Sequence, residues 1–574
     1  MKKNLGFILL SLASLLMLSG CDISKGSTTL LSDDSNTTQI LSRTIIFEEN
    51  GGTNVDDITI FVDNEIQIPE NPTKTGYTFA GWYSDLELSS VFNFDSLPDE
   101  DITLYAKWLV NSYTVTFETN GGSIINLITQ DYDTDLIEPA EPTKIGCIFD
   151  GWYSDSNLIT SYHFTTVPAE NITVYAKWIL AVADDVSDYS FYLLEDDTYQ
   201  ISRYNGSNSK VVIPSFYLGK PVTVIGYNAF YGNETITNIY FQKDSQLTRI
   251  DTQAFQKCKN LSTITIPPTV TSIGANVFGS CWNLRRVTFP SSILYIDQYI
   301  FQDCLSLESI FVEGDNQFYI SENGVLFDKQ KTLLISYPAK KNDTTFQLPS
   351  SIVEISGFAF NNNHFITEII FDTNSQLLTI DVGAFLNCSN LQDIIFPDTL
   401  TSIGQSSFAG CSSLEVITIT ENISAIYGNP FPDCSSLTSI NVDEDNQNFT
   451  AINKVLFDKQ VTNLIGYHGG LTSTSYEVPS TVTSIGIMAF AKCVNLNNIS
   501  IPNSVTSIGG SAFYGCTNLT TVIISVNVEI MGYWVFDDCA ALTIYTEHLA
   551  KPNGWSDVWN PDNLPINWGY DSND

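Results

Sequence analysis

Basic residues and histidines are scarce in this 574-residue chain. It holds 25 lysines and arginines against 64 aspartates and glutamates, for a formal net charge of -39. A surface this acidic repels nucleic acid and anionic lipid, so we expect no nucleic-acid partner. The four histidines share no motif, and neither Gly-x-Ser-x-Gly nor His-Glu-x-x-His occurs. We therefore predict a protein that is not an enzyme and uses no cofactor.

Long apolar runs are also missing, apart from one at the N-terminus. Leu5 to Leu18 follows the basic start Met1-Lys2-Lys3, and at about 14 residues it is too short for a comfortable spanning helix. The run ends in Leu18-Ser19-Gly20-Cys21, which resembles a bacterial lipobox.

The lipobox resemblance implies a signal peptide at 1–20 and lipidation of Cys21. Acyl chains would anchor the protein firmly at the extracytoplasmic face of the cell membrane, with some secretion as a second expectation. Residues 21–42 are rich in Ser, Thr, Asp and Asn, which is typical of a flexible tether. The alternative is ordinary cleavage beside an incidental cysteine.

Metal-ligand spacing is absent as well. No Cys-x-x-Cys occurs, so zinc is not expected. The acidic run Asp443–Asn446 lacks the calcium-loop Gly, where Asn448 stands, and the closing Glu, where Lys454 stands. We interpret the run as a solvated turn and predict no metal site.

Cysteine is instead placed at a strict interval of 23 residues. A phenylalanine precedes each of these cysteines by three residues. A fixed period of this size predicts a solenoid, whose repeats bury their apolar faces only against one another. The ladder comprises Cys258, Cys281, Cys304, Cys388, Cys411, Cys434, Cys493, Cys516 and Cys539.

One repeat predicts its own local structure. Leu261-x-x-Ile264-x-Ile266 reads as a short strand that Pro267 ends. Gly274 recurs as Gly404, Gly486 and Gly509, and we expect a positive φ at these glycines. Two further repeats hold Asn in place of Cys, at 233 and 363. This substitution predicts a small, half-polar slot and reduced, buried, structural cysteines rather than disulfides, because side chains on stacked strands run parallel.

Two insertions interrupt the period. The steps from Cys304 to Asn363 and from Cys434 to Cys493 each span 59 residues, 36 more than the basic interval. Both contain Val-Leu-Phe-Asp-Lys-Gln, at 325–330 and 455–460, which reads as a hairpin. A duplication at offset 130 therefore overlies the shorter one.

A different repeat precedes the solenoid, with an offset of 70 residues. Asn-Gly-Gly, Pro-Thr-Lys, Gly-Trp-Tyr-Ser-Asp and Tyr-Ala-Lys-Trp each occur twice. Segments 43–108 and 113–178 resemble the Listeria–Bacteroides repeat, also called the internalin B-repeat. The resemblance implies small β-grasp-like domains that serve as spacers or weak ligand modules. Trp82 and Trp152 are expected in the core, with sugar stacking as the alternative.

The 23-residue unit resembles the BspA-like leucine-rich repeat, also seen in a spirochaete surface antigen, over 188–574. The fold class is thus predicted as a β-rich leucine-rich-repeat solenoid at 188–545 preceded by two small β-grasp-like domains. The Trp-rich segment 546–574 is expected to cap the last coil. The resemblance implies a cell-surface or secreted protein that binds partners.

The predicted partner-binding surface is the outward face of the strands. We expect extracellular proteins of a host or its matrix to bind there, with a carbohydrate-binding protein and a self-associating structural protein as alternatives. Arginine and aromatic residues dominate interface energetics. The candidate residues are Tyr240, Arg285, Arg286, Phe311, Ile370, Glu415, Asn497 and Asn498.

Overall fold

The structure, a computed structural model, describes residues 42–61 and 64–571. The predicted signal peptide, Cys21 and the tether up to residue 41 lie outside the described residues. Two compact units are present, of which the first ends at Asn111 and the second begins at Ser112. No helix within the described ranges is both long and apolar enough to cross a bilayer.

The first unit is a small β domain with one mixed sheet in the order β2-β1-β4-β3. Its two central strands, β1 and β4, run parallel. Trp82 is buried and packs on Phe47, with ring centroids 4.6 Å apart. The strands are β1 Ser42–Glu48, β2 Ile58–Phe61, β3 Tyr77–Tyr83 and β4 Ile102–Val110.

The second unit opens with the same domain again, its sheet ordered β6-β5-β8-β7. Trp152 is buried here and packs edge-on against Phe117 and Phe149. Both tryptophans are thus core residues, as the first reading held, and the sugar-stacking alternative is wrong for them. The strands are β5 Ser112–Glu118, β6 Ile128–Asp131, β7 Cys147–Tyr153 and β8 Ile172–Leu180.

A parallel β-solenoid fills the rest of the second unit and confirms the predicted fold class. Its first array follows a three-residue 3-10 helix, Val186–Asp188. The strands of this array are β9 Tyr189–Leu193, β10 Tyr199–Tyr204, β11 Lys210–Ile213, β12 Phe216–Tyr217, β13 Lys220–Ile225, β14 Asn238–Phe241, β15 Arg249–Ile250, β16 Thr263–Thr265, β17 Ser272–Ile273, β18 Arg286–Phe289, β19 Tyr295–Ile296 and β20 Ser309–Val312.

The second and third arrays each begin with one of the two insertions. The second array consists of β21 Tyr319–Glu322, β22 Val325–Asp328, β23 Leu333–Ser336, β24 Thr345–Gln347, β25 Glu354–Ile355, β26 Glu368–Ile370, β27 Thr379–Ile380, β28 Asp393–Ile394, β29 Ser402–Ile403, β30 Val416–Ile419, β31 Ala425–Ile426 and β32 Ser439–Val442. The third consists of β33 Phe449–Ile452, β34 Val455–Asp458, β35 Asn463–Gly466, β36 Ser475–Glu477, β37 Ser484–Ile485, β38 Asn498–Ser500, β39 Ser507–Ile508, β40 Thr521–Ile524, β41 Ile530–Met531, β42 Thr543–Thr546 and β43 Ile566–Trp568.

Stacked phenylalanines form the spine of each array. The rings of Phe255 and Phe278 are 5.9 Å apart and nearly parallel, at 5°. Phe490 and Phe513 repeat this arrangement at 5.1 Å and 6°. Burying one such ring stabilises the fold by about 1.5–3 kcal/mol, so the period is fixed by the need to place each ring on its neighbour.

The recurring glycines have a different cause from the one expected. Gly274, Gly404, Gly486 and Gly509 are not among the positive-φ residues. A Cβ on Gly274 would lie 2.4 Å from the Thr252 nitrogen, so glycine is needed because the preceding coil passes too close for any side chain. The left-handed conformation falls two residues later, as at Asn276 with φ 52.

The cysteine slot is half-polar, as predicted. Each ladder cysteine is buried and free, and its thiol donates to a backbone carbonyl of the preceding coil. Cys281, for example, donates to the Phe255 carbonyl at 3.1 Å. Asn363 occupies the same slot and donates through Nδ2 to the Pro338 carbonyl at 3.0 Å.

Both insertions form the predicted antiparallel hairpins, β21–β22 and β33–β34. The C-terminal segment closes the third array: β43 pairs with β42, and Trp555 and Trp559 are buried in that array's core. The expected cap is therefore present.

Candidate interaction surface

The solenoid presents one long row of parallel strands, whose outward side chains we call the strand face. Alternate residues of each strand point away from the core, and the register aligns them across coils. Gln347 pairs with Ile370, and Glu368 with Asp393. The row comprises β11, β14, β16, β18, β20, β24, β26, β28, β30, β32, β36, β38, β40, β42 and β43.

The second β domain covers the beginning of the strand face. Ile148 and Ala181 pack with Val212 and Tyr240 in a small apolar cluster. The Gly146 amide donates to the Phe241 carbonyl at 3.1 Å. The domain is therefore docked on the solenoid rather than held away from it as a spacer.

Polar contacts extend the same docked area. Asn238 donates through Nδ2 to Glu141 at 2.9 Å, and Thr265 bonds to Thr143. Burial raises the pKa of Glu141. A carboxylate and an amide are thus partly withdrawn from water to hold the domain in place.

Two predicted binding residues are inaccessible because of this domain. Tyr240 is 9% exposed and Arg286 only 5%. The Arg286 guanidinium donates to the Ile124 carbonyl and lies 4.0 Å from the ring centroid of Phe311. Burial lowers the pKa of Arg286 to about 10. The expectation that both residues face partners is wrong, since a domain of the same chain already covers them.

Two other predicted residues line a groove beside the first insertion. Arg285 forms an ion pair with Glu308, with 2.8 Å between Nε and Oε1. Arg285 and Phe311 both lie on the wall of a groove of about 1350 Å³ that also includes Lys340, Phe346 and Phe365. Sequence reasoning missed these last three residues, although a comparison of the two insertions at offset 130 would have shown them to differ.

The remaining four candidates, Ile370, Glu415, Asn497 and Asn498, are exposed. Ile370 lies in register with Ile395, the residue just after β28, which is 85% exposed. This part of the strand face joins exposed aliphatic side chains to carboxylates.

Little in the described ranges suggests catalysis. No group of three or more His, Cys, Asp or Glu that could hold a metal ion occurs among the described residues. His468 is fully buried, and burial lowers its pKa to about 4. It is a neutral interior residue at neutral pH.

Comparison with known proteins yields two family matches. The model of the BspA type leucine rich repeat region matches in six copies, at residues 196–326, 337–463 and 467–548. The model of the Listeria-Bacteroides repeat domain matches residues 44–107 and 113–177.

Individual relatives align over part of the chain. A protein named as a membrane protein from Evansella cellulosilytica is 41% identical over 151 residues, 25% of this chain and 23% of the relative. Internalin H of Listeria monocytogenes is 42% identical over 125 residues, 21% of this chain and 22% of its own length. The chain thus spans less than a quarter of these relatives. A crystal structure of a leucine-rich repeat protein from Eubacterium ventriosum aligns with 64% of this chain and 96% of its own, at 21% identity and a TM-score of 0.38.

Proposed function

The chain belongs to the BspA-type leucine-rich repeat family, and from this premise we propose that it is a surface-associated binding protein whose open strand face contacts extracellular proteins. Host surface or matrix proteins are the partner class. The family match and the naming of its relatives as a membrane protein and an internalin support the surface location. Anchoring through lipidated Cys21 remains part of the proposal.

The observation that carries the proposal is the exposed aliphatic row on the second array. Ile395 is 85% exposed, and Ile370 and Val416 are also exposed on the same strands. A large apolar side chain held on a rigid strand loses little conformational entropy when a partner covers it. Partner burial of such a row is the usual source of binding energy at a protein interface.

The carboxylates around this row define the chemistry of the partner. Glu368, Asp393 and Glu415 are all exposed beside it. Opposite charge across an interface steers association and excludes partners of like charge. The partner surface is therefore apolar at its centre and basic at its rim.

Carbohydrate capture has lost most of its support. Trp82, Trp152, Trp555 and Trp559 are buried, so none of these rings is available to stack on a sugar. Protein binding at the strand face is the function that the exposed chemistry favours.

The test measures binding of the full chain to a panel of purified extracellular proteins by surface plasmon resonance. We expect at least one basic protein to bind, and Ile395→Ser to weaken it about tenfold, because one buried aliphatic side chain is worth about 1.5 kcal/mol or more. Leu549→Ser is the matched control, since Leu549 is 89% exposed but lies outside the strand face. Equal loss in both variants, or no loss in Ile395→Ser, would contradict the proposal.

A further inference from the structure

The strand row is interrupted between β20 and β24, and the interruption is the groove described above. β20 pairs with β18 on one side, and β24 pairs with β26 on the other. The two strands do not pair with each other. Ser309 and Phe311 of β20 and Phe346 and Gln347 of β24 line the groove between them.

The edge of β20 is already occupied by the first hairpin. The Ile310 amide donates to the Gly324 carbonyl at 3.0 Å. The Val312 amide donates to the hydroxyl of Ser321 at 3.1 Å. The hairpin thus protects β20 from pairing with another strand.

The edge of β24 has no such cover. The Thr344 carbonyl accepts from the Thr367 amide at 2.7 Å, and the Leu348 amide donates to the Ile370 carbonyl at 3.0 Å. These bonds point toward β26, so strand alternation turns the backbone groups of Thr345 and Gln347 toward the groove. An open edge of this kind is a template for an added strand.

The groove combines aromatic rings with one uncompensated cation. Arg285, Lys341 and Glu322 have ion-pair partners in Glu308, Asp343 and Lys331. Lys340 forms no ion pair within the part of the chain that the structure describes, and its Nζ lies 6.0 Å from the ring centroid of Phe365. The groove therefore has a local excess of one positive charge in a chain of formal charge -39.

The second insertion provides an internal comparison at offset 130. Val325, Phe327 and Pro349 recur there as the same residue types, so they serve the shared scaffold. Phe311, Lys340 and Phe365 do not recur. Their counterparts are Asn441, Gly470 and Asn495. The scaffold folds without the rings and the cation, and their presence at one junction alone indicates a task of that junction.

We propose that this groove binds an extended peptide segment of another protein, which adds as a strand to the open edge of β24. An acidic side chain of the peptide pairs with Lys340, and an apolar side chain packs against Phe311 and Phe365. The site is separate from the exposed row around Ile395, and either can fail without the other.

The test selects a phage library of random heptapeptides on the full chain and measures the affinity of the enriched peptides. We expect peptides that alternate acidic and apolar residues. The double variant Lys340→Gly/Phe365→Asn should bind them at least tenfold more weakly. Both substitutions introduce residues that the second junction already holds, so unchanged circular dichroism is expected.

A backbone variant tests the strand addition itself. Gln347→Pro removes an amide that faces the groove, in an edge strand where proline is tolerated. It should abolish binding, whereas Gln347→Ala keeps the amide and should retain it. No enriched peptide, or equal binding to all variants, would overturn the proposal. A dimer in sedimentation that Gln347→Pro dissociates would also overturn it, because the occupant would then be a second copy.

Discussion

At the residue scale, the repeat is governed by slots that differ in how much change they allow. The cysteine slot accepts Cys or Asn, because each can donate to a carbonyl of the preceding coil, as Cys281 and Asn363 do. The glycine before each left-handed turn has no such freedom where backbone atoms press on it. The sequence showed both patterns. It could not distinguish a glycine required by φ from one required by close approach, because that difference lies between coils.

Thiol reactivity tests the cysteine slot. Burial raises the pKa of Cys258 and of Cys539 to about 12, and only the thiolate reacts with iodoacetamide. Among the described cysteines, we expect Cys147 alone, which is partly exposed, to be alkylated in the native chain. Peptide mass spectrometry identifies the modified residues. Rapid native labelling of Cys281 or Cys411 would show that the slot is open.

Substitution of glycine tests close approach. Gly274→Ala places a Cβ 2.4 Å from the Thr252 nitrogen, and overpacking of this kind lowers the free energy of unfolding by about 1–3 kcal/mol. Gly314→Ala is the control, since a Cβ there has no neighbour within 4 Å and φ is not positive. Urea unfolding compares the two. An equal shift of both midpoints would refute the close-approach account.

At the element scale, the two insertions share a hairpin but not their contents. Their existence, length and hairpin form were predictable from Val-Leu-Phe-Asp-Lys-Gln at 325–330 and 455–460. The groove was not predictable from a single unit, because it arises where β20 and β24 fail to pair. The second insertion instead buries His468, where the first has Pro338.

The buried histidine predicts a pH dependence. The pKa of His468 falls from 6.5 to about 4 on burial, so protons bind the unfolded chain first. Its contribution to stability is fully present above about pH 6.5 and is lost as pH falls toward 4. At pH 5 the loss is about 2 kcal/mol.

His468→Pro isolates this contribution, because proline is the residue at the equivalent position of the first insertion. Urea unfolding at pH 7.5 and pH 5 should show a smaller loss of stability in the variant than in the natural chain. The carboxylates titrate in both proteins and cancel in the comparison. Equal losses would mean that His468 is not neutral when folded.

At the scale of the second unit, one β domain lies on the strand face. Its fold was predictable from its motifs, since Trp152 and its aromatic neighbours must form a core. Its docking was not, because Gly146, Glu141 and Arg286 make their contacts across about 95 to 160 residues of sequence. That docking is why Tyr240 and Arg286 were mistaken for free surface.

Separation of this domain from the solenoid is expected from Gly146→Ala. A Cβ there would lie 2.7 Å from the Cβ of Lys243, and φ is +73. Hydroxyl-radical footprinting should then show oxidation of Tyr240, which is shielded in the natural chain. Gly76→Ala is the control, because Gly76 is the equivalent glycine of the first domain and has φ 79. Oxidation of Tyr240 in the natural chain would contradict the docking.

The central claim is that binding resides in the open strand face of the second array. Carbodiimide labelling of carboxylates in the full chain, read by mass spectrometry with and without a captured extracellular protein, tests it most directly. The account predicts that Glu368, Asp393 and Glu415 are labelled in the free chain and protected in the complex. Continued labelling of all three in a saturated complex would contradict it.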